Sequence, residues 1–401
     1  MQINLRPFKD FFNSGSAGGI LLLLCVIISL VLANSPLATE FNSFLQTELG
    51  WENGDIHLRY PLLLWINDGL MAIFFLLVGL EIKRELAEGE LSSFKKASLP
   101  VMAAIGGVVL PALIYTGFNY GEETSAGWAI PMATDIAFAL AIVKVLGKKV
   151  PLGLRIFLAA LAIVDDLMAI LVIAIFYSTS LHLTYLLYAL GLLILLIIFN
   201  RLGVKKIYAY LIPGLFMWYF IHHSGIHATI AGVMVAFTLP TTPGSAAESP
   251  LEKLEHFLTK PVNFLIMPLF ALANTNIEFM DGMIEGLASP LGLGIILGLV
   301  VGKPVGIFLM SWISIKTGLS QRPTGSSWST LFGVAMLAGI GFTMSIFISF
   351  LSFSDEFLLS ESKFAILIAS IISALAGTLT LFLIYKRKKV RQRQLKKKLR
   401  E

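Results

Sequence analysis

The feature that most limits how this chain can fold is a series of apolar stretches, each about long enough to cross a bilayer. A hydrocarbon core takes about 20 mainly apolar residues per helix. Twelve stretches approach that length: roughly 15–34, 61–82, 99–118, 126–144, 151–176, 182–200, 205–221, 225–240, 258–274, 290–315, 328–350 and 360–385. The seventh and eighth are the shortest. Inside lipid every backbone polar group must be satisfied within the protein, which favours helices. With 56% hydrophobic and 14% charged residues, the composition excludes a disordered chain and argues against a soluble domain. The expected fold is an all-α membrane protein with twelve transmembrane helices, residues 1–385 forming one domain. Arg6 and Lys9 before the first stretch give it the outline of a signal peptide, but its length and the spans that follow favour a first helix. The single cysteine, Cys25, leaves no disulfide framework and no thiolate metal site.

Charge sets the orientation. With the N-terminus inside, 27 of the 30 Lys/Arg fall in inward-facing segments, only Arg59 and Lys363 face outward, and Lys303 lies within a span. That asymmetry fits an even number of spans with both ends in the cytoplasm. The tail 386–401 supplies ten basic residues, and without it acidic residues outnumber basic ones. The basic balance therefore speaks for membrane orientation rather than for nucleic acid.

The first outer loop carries a hairpin signal. Asn53-Gly54 suits a two-residue turn. Pairing outward from it sets Trp51 opposite Ile56 and Leu49 opposite Leu58 on one face, with Glu48, Asp55, His57 and Arg59 on the other. A β-hairpin over 46–60 is expected. A two-stranded hairpin is marginal in water by itself, so it should pack on headgroups, on its own protein or on another subunit.

The most informative residues are those a bilayer should reject. Asp135 lies mid-span in GWAIPMATDIAFAL, Asp165 and Asp166 in LAALAIVDDLMAILVI, and Lys303 in LGLVVGKPVGIF. Each ionised side chain at a helix centre costs about 2.5–3.5 kcal/mol on insertion scales. These groups must therefore pair, lose charge or face water, and all three are useful in an ion pathway. Three carboxylates face one ammonium, which leaves a carboxylate for a cation or a proton. Asp165 and Asp166 project about 100° apart on a helix, so their roles differ. Oxygen ligands, with Thr134 adding one more, suit hard cations such as Na+ or Li+.

Two spans are interrupted. Pro131 and Thr134-Asp135 break the fourth; Gly339-Ile340-Gly341 breaks the eleventh. Paired interruptions in corresponding parts of two halves point to a transporter binding site. Spans 3–5 (99–176) and 10–12 (290–385) are both triplets with the break in the middle member, and they run in opposite directions, as inverted-topology repeats. Half-helix ends at mid-membrane carry partial charges; Asp135 can offset the positive kind and Lys303 the negative. Gly294, Gly298, Gly302 and Gly306 make an i+4 ridge for close packing, and Ala369, Ser373 and Gly377 repeat it.

Six segments together resemble the bacterial NhaA sodium/proton antiporter family, in its order: NDGLMAIFFLLVGLEIKREL (67–86), WAIPMATDIAFAL (128–140), FLAALAIVDDLMAI (157–170), SGIHATIAGV (224–233), GKPVGI (302–307) and GIGFTMSIFI (339–348). The resemblance implies a twelve-helix antiporter of a bacterial cytoplasmic membrane, exporting Na+ or Li+ for protons electrogenically. It also implies two broken helices crossing at mid-membrane. Asp166 matches the principal cation ligand, Asp165 a second ligand able to pair with Lys303, and Thr134 and Asp135 the crossing. The pH response would involve Glu81, Arg84, Glu85, His227, Glu255 and His256, with Thr259 standing where a second histidine can occur. The hairpin matches a homodimerisation element. No cofactor or enzyme activity is implied. A cation-coupled transporter of an organic solute would share the buried carboxylates and broken helices, and is the alternative reading.

Overall fold

A computed structural model describes residues 17–398, apart from Asp55 and residues 179–180, 243–246 and 280–281. Arg6, Lys9, the start of the first span and the last three tail residues lie outside the described residues. The chain is almost wholly helical. Among the described residues, eight helices are long and apolar enough to cross a membrane: Leu62–Ala87, Phe94–Asn119, Glu123–Lys149, Leu152–Phe176, Leu183–Arg201, Pro250–Asn274, Pro290–Lys316 and Glu356–Val390. Counting each of two bent pairs as one span brings the figure to as many as ten. They are Ala17–Ala33 with Ala38–Leu45, at 116°, and Trp328–Ala338 with Phe342–Ser352, at 46°.

The predicted spans 205–221 and 225–240 form only the helices Tyr208–His222, of 15 residues, and Ile230–Thr238, of 9. At about 1.5 Å per residue neither reaches through a hydrocarbon core of about 30 Å by itself. Gly225, at φ 84°, turns the chain between them.

Two compact units emerge. One holds Phe94–Asp165 and the described part of Gly282–Glu401; the other holds Gly18–Ser93 and Asp166–Asp281. The division falls between Asp165 and Asp166, inside one helix. In the first unit the glycine ridge packs as its spacing suggests. A Cβ on Gly306 would overlap the Gly106 carbonyl oxygen, and Gly298 and Gly302 lie against Pro131 and Pro111. The helix Pro290–Lys316 widens by one turn at Gly298–Gly302, where the Lys303 N–H reaches back to the Gly298 carbonyl. Pro304, which has no N–H, follows directly.

The last helix runs unbroken from Glu356 to Lys398. The basic tail therefore continues the span as helix. Lys363, expected in an outer loop, lies buried in this helix with its ammonium 4.5 Å from the centre of the Phe350 ring.

In the second unit the loop after Leu45 forms two short antiparallel ladders, Glu48–Leu49 with Tyr60–Pro61 and Glu52–Asn53 with Ile56–His57. The register differs by two residues from the one expected. Asn53 pairs with Ile56, and the Leu58 N–H bonds to the Trp51 carbonyl rather than standing opposite Leu49. The expected register would set Glu52 against Asp55, two like charges. The observed one sets Glu52 against His57, with His57 Nδ1 2.8 Å from Glu52 Oε1. A two-residue slip keeps every side chain on its expected face.

Candidate functional site

The first unit brings the two chain breaks together. Residues 133–135 are extended between Glu123–Met132 and Ile136–Leu146, and 339–341 separate Trp328–Ala338 from Phe342–Ser352. Each break leaves backbone groups without helical partners, and the two breaks satisfy one another. The Asp135 N–H donates to the Ile340 carbonyl at 2.7 Å. Ser345 Oγ donates to the Ile130 carbonyl at 2.8 Å. Gly339 lets the helices Pro290–Lys316 and Glu356–Lys398 close on the second break, because a Cβ there would meet the Leu299 carbonyl and Ser373 Oγ.

The charged side chains complete the arrangement. Asp135 Oδ1 accepts from the Phe138 N–H at 3.0 Å, capping Ile136–Leu146. Its Oδ2 accepts from the Thr343 N–H at 3.2 Å and from the Thr343 hydroxyl, in the first turn of Phe342–Ser352. One carboxylate thus offsets the positive ends of two half-helices. At the opposite polarity, Lys303 Nζ donates to the Met132 carbonyl, where the first half-helix ends.

Lys303 Nζ also lies 2.8 Å from Asp165 Oδ2. Thr134 Oγ1 is 2.7 Å from the same oxygen and 2.9 Å from the Ala338 carbonyl, so its one proton serves one of them at a time. Asp165 Oδ1 is buried and makes no hydrogen bond. Thr134, Asp135, Asp165, Asp166, Lys303 and Thr343 are all at most 2% exposed. Oxygen donors thus gather beside a single ammonium, as hard-cation chemistry requires. Among the described residues no three His, Cys, Asp or Glu side chains converge as a resident metal centre would need. Asp166 follows Asp165 on the same helix, about 100° further round it.

The residues assigned to pH response fall in separate places of the second unit. Arg84 Nε donates to both Glu255 oxygens, at 3.0 and 2.9 Å, and Arg84 also pairs with Glu85 at 3.0 Å. Glu81 lies within electrostatic reach of all three. His256 stands apart, exposed and 3.4 Å from Glu248. Thr259 bonds back to the Glu255 carbonyl. His227 Nε2 lies 3.5 Å from Asp68 Oδ1, and His222 Nδ1 3.2 Å from Asp68 Oδ2. This histidine pair around one carboxylate emerges only from the fold. Thr343 and Ser345 were also missed, although they follow the Gly339–Gly341 break directly.

The comparisons with known proteins agree with one another. The profile of the family described as "Na+/H+ antiporter 1" matches residues 9–381. The chain belongs to the NhaA family of Na+/H+ antiporters. Among its NhaA relatives, "Na(+)/H(+) antiporter NhaA 2" of Flavobacterium johnsoniae is 63% identical over 380 residues, covering 94% of this chain and 93% of the relative. "Na(+)/H(+) antiporter NhaA" of Flavobacterium psychrophilum is 48% identical over 379 residues, covering 94% and 96%. The protein of that name in Shewanella frigidimarina is 49% identical over 375 residues, covering 93% and 95%. The NhaA match includes both breaks and all four intramembrane charges. It stops short of the basic run at 386–400.

Proposed function

We propose that the protein exchanges Na+, and Li+, for protons across a bacterial cytoplasmic membrane, and that it is a transporter rather than an enzyme. The observation that carries this reading is Asp165, held by Lys303 and Thr134 at the paired breaks with one oxygen unengaged. Asp165 and Asp166 together hold more negative charge than Lys303 can balance. A proton or a hard cation supplies the balance, and the two compete for the same oxygens. Asp166 is the principal cation ligand; Asp165 and Thr134 add oxygens once Lys303 releases Asp165. Loading a cation displaces protons, and reprotonation releases it on the other side. Asp135 and Lys303 hold the half-helix ends while access alternates.

Twelve spans, with 99–176 and 290–385 as inverted triplets and both termini cytoplasmic, fit the charge asymmetry of the loops, and 205–221 and 225–240 complete their crossings with residues beyond the helices Tyr208–His222 and Ile230–Thr238. Exchange is electrogenic, with more protons entering than sodium ions leaving, and it is set by pH through Glu81, Arg84, Glu85 and Glu255, with His227 and His256 as further contributors. The protein works as a homodimer through the hairpin 46–60.

The test uses everted membrane vesicles holding an acid-inside pH gradient, followed by a quenched amine dye. NaCl, LiCl and KCl are added to wild type and to Asp166→Asn, with no organic solute present. Sodium- and lithium-specific dequenching in wild type alone is the expected result, since an amide cannot titrate. Equal dequenching in the variant, with both proteins in the membrane, overturns the role of Asp166. Wild-type exchange that requires an organic solute favours the coupled-transporter reading.

A further inference from the structure

The apolar part of the last helix, 364–385, is 22 residues long, or about 33 Å, which matches the hydrocarbon core. The helix does not stop there. It continues without a break to Lys398, about 20 Å further. Each headgroup layer is only about 5–8 Å deep. Lys386, Arg387, Lys388 and Lys389, all exposed, therefore stand at headgroup depth. Orientation needs a few inward charges; the run 386–400 has ten Lys/Arg and no Asp or Glu.

The neighbourhood at that level is basic too. Lys149 Nζ lies 5.0 Å from the centre of the Phe382 ring, so the turn Gly147–Lys149 meets the last helix just before its basic part, and Lys148 beside it is exposed. Leu383, Lys386, Arg387, Val390 and Gln394, at i, i+3, i+4, i+7 and i+11, share one face of the helix and line one open surface groove. Apolar and cationic side chains alternate on that face. This suits a lipid whose acyl–glycerol boundary meets Leu383 while its phosphate meets Lys386 and Arg387.

We propose that the start of this helical extension, Lys386–Lys389, is a docking surface for anionic phospholipids of the cytoplasmic leaflet, with Lys148 and Lys149 completing it. The proposal rests on the inward orientation of the tail, not on ion exchange. Each cation near an anionic surface is worth about fivefold in partition.

The experiment places a spin label at Gln394→Cys in the full chain carrying Cys25→Ser, reconstituted into phosphatidylcholine liposomes with increasing phosphatidylglycerol. Labelled protein oriented with its tail accessible to an impermeant reductant from the cytoplasmic face is compared with a variant in which Lys386, Arg387, Lys388 and Lys389 are all Gln. The expected result is immobilisation by phosphatidylglycerol that fades at about 1 M salt. Four cations at about fivefold each weaken partition by about 600-fold, so the variant should stay mobile even in pure phosphatidylglycerol. Equal mobility in both lipids overturns the proposal. So does equal immobilisation by inorganic phosphate in phosphatidylcholine alone, which would mean bare charge pairing, or immobilisation only by added RNA. Labelling from the outer face refutes the inward orientation on which the proposal depends. Sodium exchange measured on the same liposomes keeps these outcomes separate from the transport reading.

Discussion

Lys303 and Asp165 form an ion pair of 2.8 Å in which neither side chain has any exposed surface. A buried pair of this kind contributes little net stability against an apolar replacement, but removing one partner strands the other charge. Lys303→Ala should therefore lower the unfolding free energy by about 3–5 kcal/mol. Adding Asp165→Asn in that background should recover much of the loss, because the stranded charge is gone. Thermal unfolding of the purified single and double variants measures this. A double variant no more stable than Lys303→Ala would show that the two groups are not coupled.

Asp135 serves two helix ends at once. Asp135→Ala would leave the Phe138 N–H and both Thr343 donors without their acceptor, whereas Thr343→Val removes one hydroxyl bond at nearly constant volume. Losing one bond to a charged group costs about 1.5–3 kcal/mol. Thr343→Val is expected in that range and Asp135→Ala above it. The double variant should cost less than the sum, since part of each loss is the same bond. Denaturation of the four proteins closes this cycle, and strict additivity would refute the shared contact.

Much of this site could be read from the chain. Asp135 and Lys303 were legible because bilayer physics makes an intramembrane charge conspicuous, and Pro131 and the Gly339–Gly341 pair mark breaks by their backbone chemistry. Which neutral groups answer those charges was not legible. Thr343, Ser345 and the Met132 carbonyl carry no signal until the fold joins positions some 170–215 residues apart. The hairpin shows another limit. Asn53-Gly54 fixed the region and the faces, but cross-strand charge set the register, and a turn motif does not weigh Glu52 against its partner. Spans 205–221 and 225–240 were apolar enough to suggest crossings, yet hydropathy does not report where Gly225 turns the chain.

The Arg84–Glu255 contact makes a prediction about pH response. Because Arg84 Nε is shared between both Glu255 oxygens, Arg84→Ala and Glu255→Ala disrupt one unit. Each should shift the pH midpoint of exchange, and the double variant should shift it no further than the larger single change. His256→Ala should move the midpoint less than Glu255→Ala, since His256 is exposed and faces Glu248 instead. Dequenching across a pH series in vesicles gives the five midpoints, wild type included. Additive shifts from Arg84 and Glu255 would mean that they act separately.

The hairpin exposes what a lone chain should hide. Leu49 and Trp51 are 46% and 59% exposed. Yet the segment is firmly based, because Trp65 Nε1 donates to the Leu49 carbonyl at 3.0 Å and Tyr60 packs edge-on to Trp65. An apolar face held in place this way fits a second subunit better than open water. Leu49→Asp with Trp51→Asp keeps the backbone ladders and makes that face charged. Deleting 46–60 removes it altogether. Both changes should convert crosslinked dimers largely to monomers while sodium exchange continues, because neither touches Asp165, Lys303 or the chain breaks. Unchanged dimer levels in both proteins would show that the subunits meet elsewhere. Loss of exchange in the Asp variants, with normal insertion, would show that the hairpin supports transport as well as assembly.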